Sequence, residues 1–238
     1  MVTFSLRAST VLRVLVGVAV VLLLLSAISD VAYLGWGRLG RPQAALDLDR
    51  EGNVPTWWSS FQVGLLALLC FHLSRRDRGR RGGRPVAWLL CGAALLYVSV
   101  DEVAQLHEQL NAVFHDLAGR SDGIFRFGWV FLALPVVAVF VVVMFPLLLS
   151  LPRPVAAELL AGGAVFLLGA VALEVVGSAL LSAGWSRTSF PFVLEYHAEE
   201  FFEMTGVAVA FHAVARYAAS SGERVLHVPA GGELRSRT

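Results

Sequence analysis

Leu194-Glu195-Tyr196-His197-Ala198-Glu199-Glu200-Phe201-Phe202-Glu203-Met204-Thr205-Gly206 places four glutamates and a histidine within nine residues, then runs directly into the apolar segment Val207 to Val214. Ionisable groups at bilayer depth are costly and mark functional sites. The surroundings of this stretch point to a membrane. The chain has 238 residues, 57% of them hydrophobic, and a mean hydropathy of +0.69. Soluble domains are about 45–50% apolar even when glycine is counted. A span needs roughly 20 apolar residues to cross about 30 Å of hydrocarbon. Six segments approach that length, at 12–35, 57–74, 86–112, 128–150, 155–183 and 191–217. The expected fold is therefore an all-α, polytopic membrane helix bundle of about six transmembrane helices. It forms one domain over 1–220, with a flexible cytoplasmic tail over 221–238. The first segment follows Arg7 and Arg13 as a signal peptide would. However, no small-x-small cleavage site follows, and apolar character continues through Val31-Ala32-Tyr33-Leu34.

Arginine placement gives the orientation. All 19 basic residues are arginine, and six of them fall in the 75–84 loop. If all six segments span, that loop shares its side with Arg7, Arg13, Arg153, Arg216, Arg224, Arg235 and Arg237. The other side holds Arg38, Arg41, Arg50, Arg120, Arg126 and Arg187. The positive-inside rule then puts both termini in the cytoplasm and the protein in the plasma (inner) membrane, with the lipid bilayer as its first partner. A net charge of +1 gives no reason to expect nucleic acid. Cys70 and Cys91 lie in apolar segments and read as small hydrophobes.

In this topology the acids collect in one slab. Asp101 and Glu102 lie beyond the midpoint of the third span, with His107 and Glu108 near its outer end. Glu174 lies in the outer half of the fifth, and Glu195 to Glu203 in the outer half of the sixth. At about 100° per residue, Asp101 and Glu108 share a face, and Glu195, Glu199 and Glu203 form a stripe beside Glu200. His197 points roughly opposite Glu199, and His107 lies off the Asp101–Glu108 face, so either needs a different neighbour or a distorted helix to join one centre. Glu195, Glu102 and Glu108 also fit wet interfacial positions near helix ends. Carboxylates facing one another at low dielectric need a counter-charge, which protons, a bound cation or a loop arginine would supply. Carboxylates joined by histidine suit zinc, iron or manganese; carboxylates alone also suit calcium. In the first outer loop, Asp47-x-Asp49-x-Glu51-Gly52 opens like a calcium loop, but Trp58 stands where a bidentate glutamate is required. Trp57 and Trp58 read as interfacial anchors.

Three phrases resemble a family of bacterial multipass membrane proteins to which no activity is attached. They are Asp49-x-Glu51-Gly52-Asn53-Val54-Pro55-Thr56-Trp57, then Asp101-Glu102 with His107-Glu108, and Glu199-Glu200-x-x-Glu203-Met204-x-Gly206. The resemblance implies that the loop acids and both membrane stripes belong to one design. The histidine pair on a late helix found in the ceramidase and adiponectin-receptor class is missing. The expected site is a divalent-metal centre with Asp101, Glu102, Glu108, Glu174, Glu199 and Glu203 as ligands. His107, His197 and Glu200 are the expected acid/base groups, acting on a lipid or other membrane-borne small molecule. The same acids would equally serve a proton- or cation-coupled transporter, or a non-catalytic sensor or assembly subunit.

Overall fold

The computed structural model describes residues 7–36, 44–79 and 81–220, so the expected tail and Arg38 and Arg41 lie outside the described residues. The described chain is all-helical. It comprises α1 (Ala8–Trp36), α2 (Val54–Asp77), α3 (Pro85–Ala104), α4 (Leu106–Ala118), α5 (Trp129–Ser150) and α6 (Arg153–Leu167). A π-helical turn (Leu168–Leu173) leads into α7 (Glu174–Ser182), and α8 (Phe190–Ser220) ends the bundle. Among the described residues, five stretches are long and apolar enough to cross a membrane. These are Ala8–Tyr33, Val54–Asp77, Pro85–Ala104, Trp129–Ser150 and the continuous run Arg153–Ser182. The expected sixth, α8, has the length at 31 residues, but its glutamates keep it outside that set. The outer surface is apolar: on α5, Val136, Val142 and Leu149 are each about 70% exposed, at 68%, 72% and 72%. A surface of this kind is unfavourable in water and compatible with a membrane protein.

α8 is the hub, packing against α1, α2, α6, the π turn and α7. Side-chain pairs fix the direction of each neighbour. Ser60 Oγ donates to the Ser99 carbonyl at 2.6 Å, Ser99 Oγ donates to the Ser60 carbonyl at 2.8 Å, and Ser74 Oγ reaches the Pro85 carbonyl at 2.7 Å. α2 and α3 therefore run antiparallel. α6 and α8 are antiparallel as well, with Gly162 against Gly206 and Glu158 bonded to His212 and Arg216. α1 joins them through Tyr196 Oη, which donates to Asp30 at 2.7 Å. At the far end Arg76 donates to the Ala218 carbonyl. These pairs gather the glutamates of α3, α7 and α8 at one end of the bundle and the 75–84 arginines at the other.

Two local departures from regular helix alter the expected elements. The third segment, expected to be continuous over 86–112, breaks at Gln105, which adopts φ 53°. A left-handed non-glycine residue is uncommon and costs about 1 kcal/mol or more. Here the carboxylate of Asp101 offsets that cost by accepting from the backbone N–H of His107 at 2.8 Å, an orphan donor at the start of α4. The fifth segment runs unbroken, but the π turn inserts residues ahead of Glu174 and so re-aims it.

The loop leading into α2 is a capping device. Asn53 is the N-cap of α2: its Oδ1 accepts from the N–H and the hydroxyl of Thr56, both at 3.1 Å. Its amide donates to the carbonyls of Asp47 (2.6 Å) and Arg50 (2.8 Å). Pro55 follows in the first turn, where its missing N–H costs nothing. Asp47 pairs with Arg50, and Asp49 accepts from Arg187 at 2.8 Å, so both aspartates of the calcium-like phrase are already paired with arginine. Asn53→Ala removes the cap and both amide donations. It is expected to destabilise the protein by about 2 kcal/mol, measured as a lowered unfolding temperature, whereas Asn53→Asp retains the cap and recovers part of the loss.

Candidate carboxylate centre

The break at Gln105 builds the first part of the site. It brings His107 back over Asp101, so that Nδ1 stands 2.9 Å from Asp101 Oδ2 while the backbone N–H holds Oδ1. A histidine held at Nδ1 by a carboxylate has its tautomer and ring plane set and keeps Nε2 for other chemistry. The ring packs on Trp129 at 4.7 Å between centroids. Trp129 Nε1 in turn donates to Glu174 Oε1 at 3.1 Å, and its backbone N–H is held by Asn111 Oδ1 at 3.0 Å.

Glu174 opens α7 and meets α8. Its carboxyl is in hydrogen-bonding contact with that of Glu199, which also reaches Glu195 one turn earlier. Glycines make this approach possible. A Cβ on Gly169 would stand 2.7 Å from the Glu199 carbonyl oxygen, and one on Gly177 would stand 2.8 Å from Glu195 Oε2. Glu200 and Glu203 lie within electrostatic reach of Glu102, Glu174 and Glu51. Glu102 is bonded to Ser59 of α2 and Glu51 to Thr56. Glu51, Glu102, Glu174, Glu199, Glu200 and Glu203 are all half-buried. Glu195 is 6% exposed, and its Oε1 has no partner.

Of the residues expected from sequence, Asp101, Glu102, His107, Glu174, Glu199, Glu200 and Glu203 thus come together. Glu108 stands at the rim, exposed but within electrostatic reach of Glu51 and His107. His197 belongs to a different group. Its Nδ1–H donates to the Val193 carbonyl at 2.7 Å, its ring lies on Tyr196, and Nε2 stands 3.5 Å from Asp30 of α1. Sequence reading missed Glu51, although its phrase had been singled out. Glu195 had an equally good interfacial reading and is instead buried in the centre.

The charge balance is one-sided. Among the described residues, Arg50, Arg76, Arg187 and Arg216 are ion-paired to Asp47, Asp77, Asp49 and Glu158. None is paired to a glutamate of the centre, and among the described residues no three His, Cys, Asp or Glu side chains stand ready-arranged as a metal chelate. Burial pushes the carboxyl of the loop residue Glu51 above its ordinary range. The Thr56 bond and His107 oppose that shift, and Glu108 and Asp101 add to it. A carboxyl raised on folding favours the folded state most below its unfolded value near 4.5. That contribution is lost as pH rises through the folded value. Glu51→Gln is therefore expected to raise stability at neutral pH relative to wild type and to flatten the decline above pH 4.5, as read from unfolding midpoints across a pH series.

The fold and this centre define an all-helical bundle with an apolar exterior and a carboxylate cluster gathered at one end. The family described as a domain of unknown function, DUF8692, matches residues 15–217, and the chain belongs to it. The match covers all three phrases quoted from the sequence, in keeping with their resemblance to a family without an attached activity. No curated protein and no solved structure matches the chain.

Proposed function

We propose that this is a six-span protein of the bacterial inner membrane, with both termini in the cytoplasm and the carboxylate centre in the outer half of the bilayer. In this proposal α8 is the sixth span, and the centre takes up a divalent cation that acts on a lipid or other membrane-borne substrate. One observation carries the reading: Glu174, Glu195 and Glu199 stand in carboxyl–carboxyl contact, with Glu51, Glu102, Glu200 and Glu203 around them and no arginine of the described chain to neutralise them. Carboxylates so placed require positive charge from outside the polypeptide. Glu102, Glu174, Glu199 and Glu203 are the proposed ligands. His107 contributes Nε2 as a further ligand or as the acid/base group. Asp101 orients His107 rather than coordinating, because both its oxygens are already engaged. Mixed carboxylate and imidazole donors suit zinc, iron or manganese. Such an ion supplies a nucleophilic water or polarises a substrate oxygen. Glu200 is left to accept or deliver protons.

A second reading, a proton- or cation-coupled carrier, is favoured by the Glu174–Glu199 contact, which a shared proton satisfies without any metal. It is opposed by the inner halves of the spans, which are largely apolar, and the ionisable group they do hold between α6 and α8, Glu158 with His212 and Arg216, is already paired within itself. Elemental analysis of protein purified without chelators separates the two, with Glu203→Ala and Asp101→Ala alongside. The metal reading expects near-stoichiometric zinc, iron or manganese, lost in Glu203→Ala and weakened about 10- to 100-fold in Asp101→Ala. A metal-free wild type, combined with proton-coupled uptake in liposomes that Glu203→Gln abolishes, establishes the carrier instead.

A further inference from the structure

At the opposite end of the bundle, away from the carboxylate centre, α3 and α5 diverge to leave a groove of about 360 Å³. Val86 and Leu90 of α3 form one wall and Val143 and Pro146 of α5 the other, with Met144 among the lining residues and Arg84 at the mouth. The mouth opens beside the 75–84 segment, whose described arginines fall into two groups. Arg76 is spent internally, bonded to buried Asp77 and laid over the Tyr217 ring. Asp77 also accepts from the backbone N–H of Arg84 and so pins the loop at the groove. Arg75, Arg78, Arg81 and Arg84 are exposed, and no carboxylate among the described residues pairs with any of them. The groove therefore offers apolar walls beneath the exposed guanidinium of Arg84, which no described carboxylate pairs.

We propose that this groove binds an anionic phospholipid, with its phosphate against Arg84 and one acyl chain laid between α3 and α5. The walls require a hydrocarbon occupant, so a soluble phosphate does not fill the site. Among the described residues the lining carries no acid for an ammonium headgroup, so a zwitterionic lipid gains less than one with net negative charge. The inference rests on the chain being membrane-embedded with its arginines at a lipid headgroup layer, and it is independent of what the carboxylate centre does. The bound lipid would fill the gap between two helices that otherwise leave apolar side chains unpacked, and so it would stabilise the bundle.

The test uses the full-length protein in detergent, with native mass spectrometry and thermal unfolding as readouts. The additions are phosphatidylglycerol, phosphatidylcholine and inorganic phosphate. Phosphatidylglycerol is expected to be retained and to raise the unfolding temperature, phosphatidylcholine to do so much less and inorganic phosphate not at all. Arg84→Gln, a change at an exposed side chain, is expected to weaken retention about fivefold. Leu90→Trp, which fills the groove, should weaken it further, and Arg75→Gln, away from the groove, should leave it unchanged. Equal retention of the two lipids overturns the proposal. So does equal loss in Arg75→Gln and Arg84→Gln, which describes a diffuse basic surface, or an equal shift with inorganic phosphate. Failure of the protein to remain in carbonate-washed membranes contradicts the embedding itself and is read separately.

Discussion

Gly206→Val is expected to keep α6 and α8 from closing, and with that to dismantle the carboxylate centre. A Cβ at this position would stand 2.5 Å from the backbone nitrogen of Phe166 and 2.7 Å from the Gly162 carbonyl oxygen. Both are main-chain atoms inside a helix, so no side-chain rotation relieves the clash and the two helices must separate. The reciprocal contact is equally tight, with a Cβ on Gly162 reaching 2.7 Å from the Ala210 nitrogen. Small residues at such crossings let backbones approach closely, and packing is the main association force between helices in lipid. The expected loss is about 3 kcal/mol or more, seen as a large fall in unfolding temperature or as failure to purify as a single species. Gly163→Ala is the control: nothing lies within 4 Å of the added methyl. It is expected to be neutral or to stabilise by up to about 1 kcal/mol through helix propensity. A Gly206→Val protein that unfolds within about 2 °C of wild type contradicts the α6–α8 contact as drawn.

Glu203→Gln is expected to move stability in opposite directions depending on what fills the centre. Glu203 is surrounded by Glu102, Glu174 and Glu51 and has no ion-pair partner among the described residues. In chelator, where no cation is bound, the isosteric amide removes one of several mutually repelling buried acids. It should raise the unfolding temperature, by an amount corresponding to about 1–2 kcal/mol. In saturating zinc or manganese, wild type gains stability by mass action. The variant, short of one ligand, should gain little, so the order of the two proteins reverses. A variant less stable than wild type in chelator means that Glu203 is already satisfied within the chain.

These outcomes depend on features that the sequence shows to different degrees. The α8 stripe was legible because Glu195, Glu199 and Glu203 sit at successive turns of one unbroken helix, where angular position is arithmetic. The same arithmetic set His197 opposite Glu199, and it does point elsewhere, to Asp30 on α1. It failed at Gln105, because a single left-handed residue resets the phase. Thus Glu108, on the Asp101 face of a continuous helix, ends exposed at the rim, while His107, off that face, swings back onto Asp101. Nothing in the residue types at 104–106 announces that break. The π turn before Glu174 was equally invisible, since its signal is one of hydrogen-bond register rather than composition. Glu51 lies in a loop, where there is no period from which to read direction; only the Asn53 hydrogen bonds reveal that the loop is folded tightly enough to aim it inward. Nothing in the sequence marks the glycines at 162, 169, 177 and 206 as points of close approach. Their role emerges only from the distances across the α6–α8 and α7–α8 crossings.

Calorimetric titration of zinc or manganese into detergent-solubilised protein, repeated in buffers of different ionisation enthalpy, tests most directly whether the glutamates converge on shared positive charge. Carboxyl ligands must be deprotonated to hold a cation, so binding to a cluster without another counter-charge is expected to expel about one proton or more per ion. Glu199→Gln should lower both the affinity and the proton count. Binding without proton release that is indifferent to Glu199, or no binding together with no loss of stability on removing chelatable metal, would contradict a cation-neutralised centre.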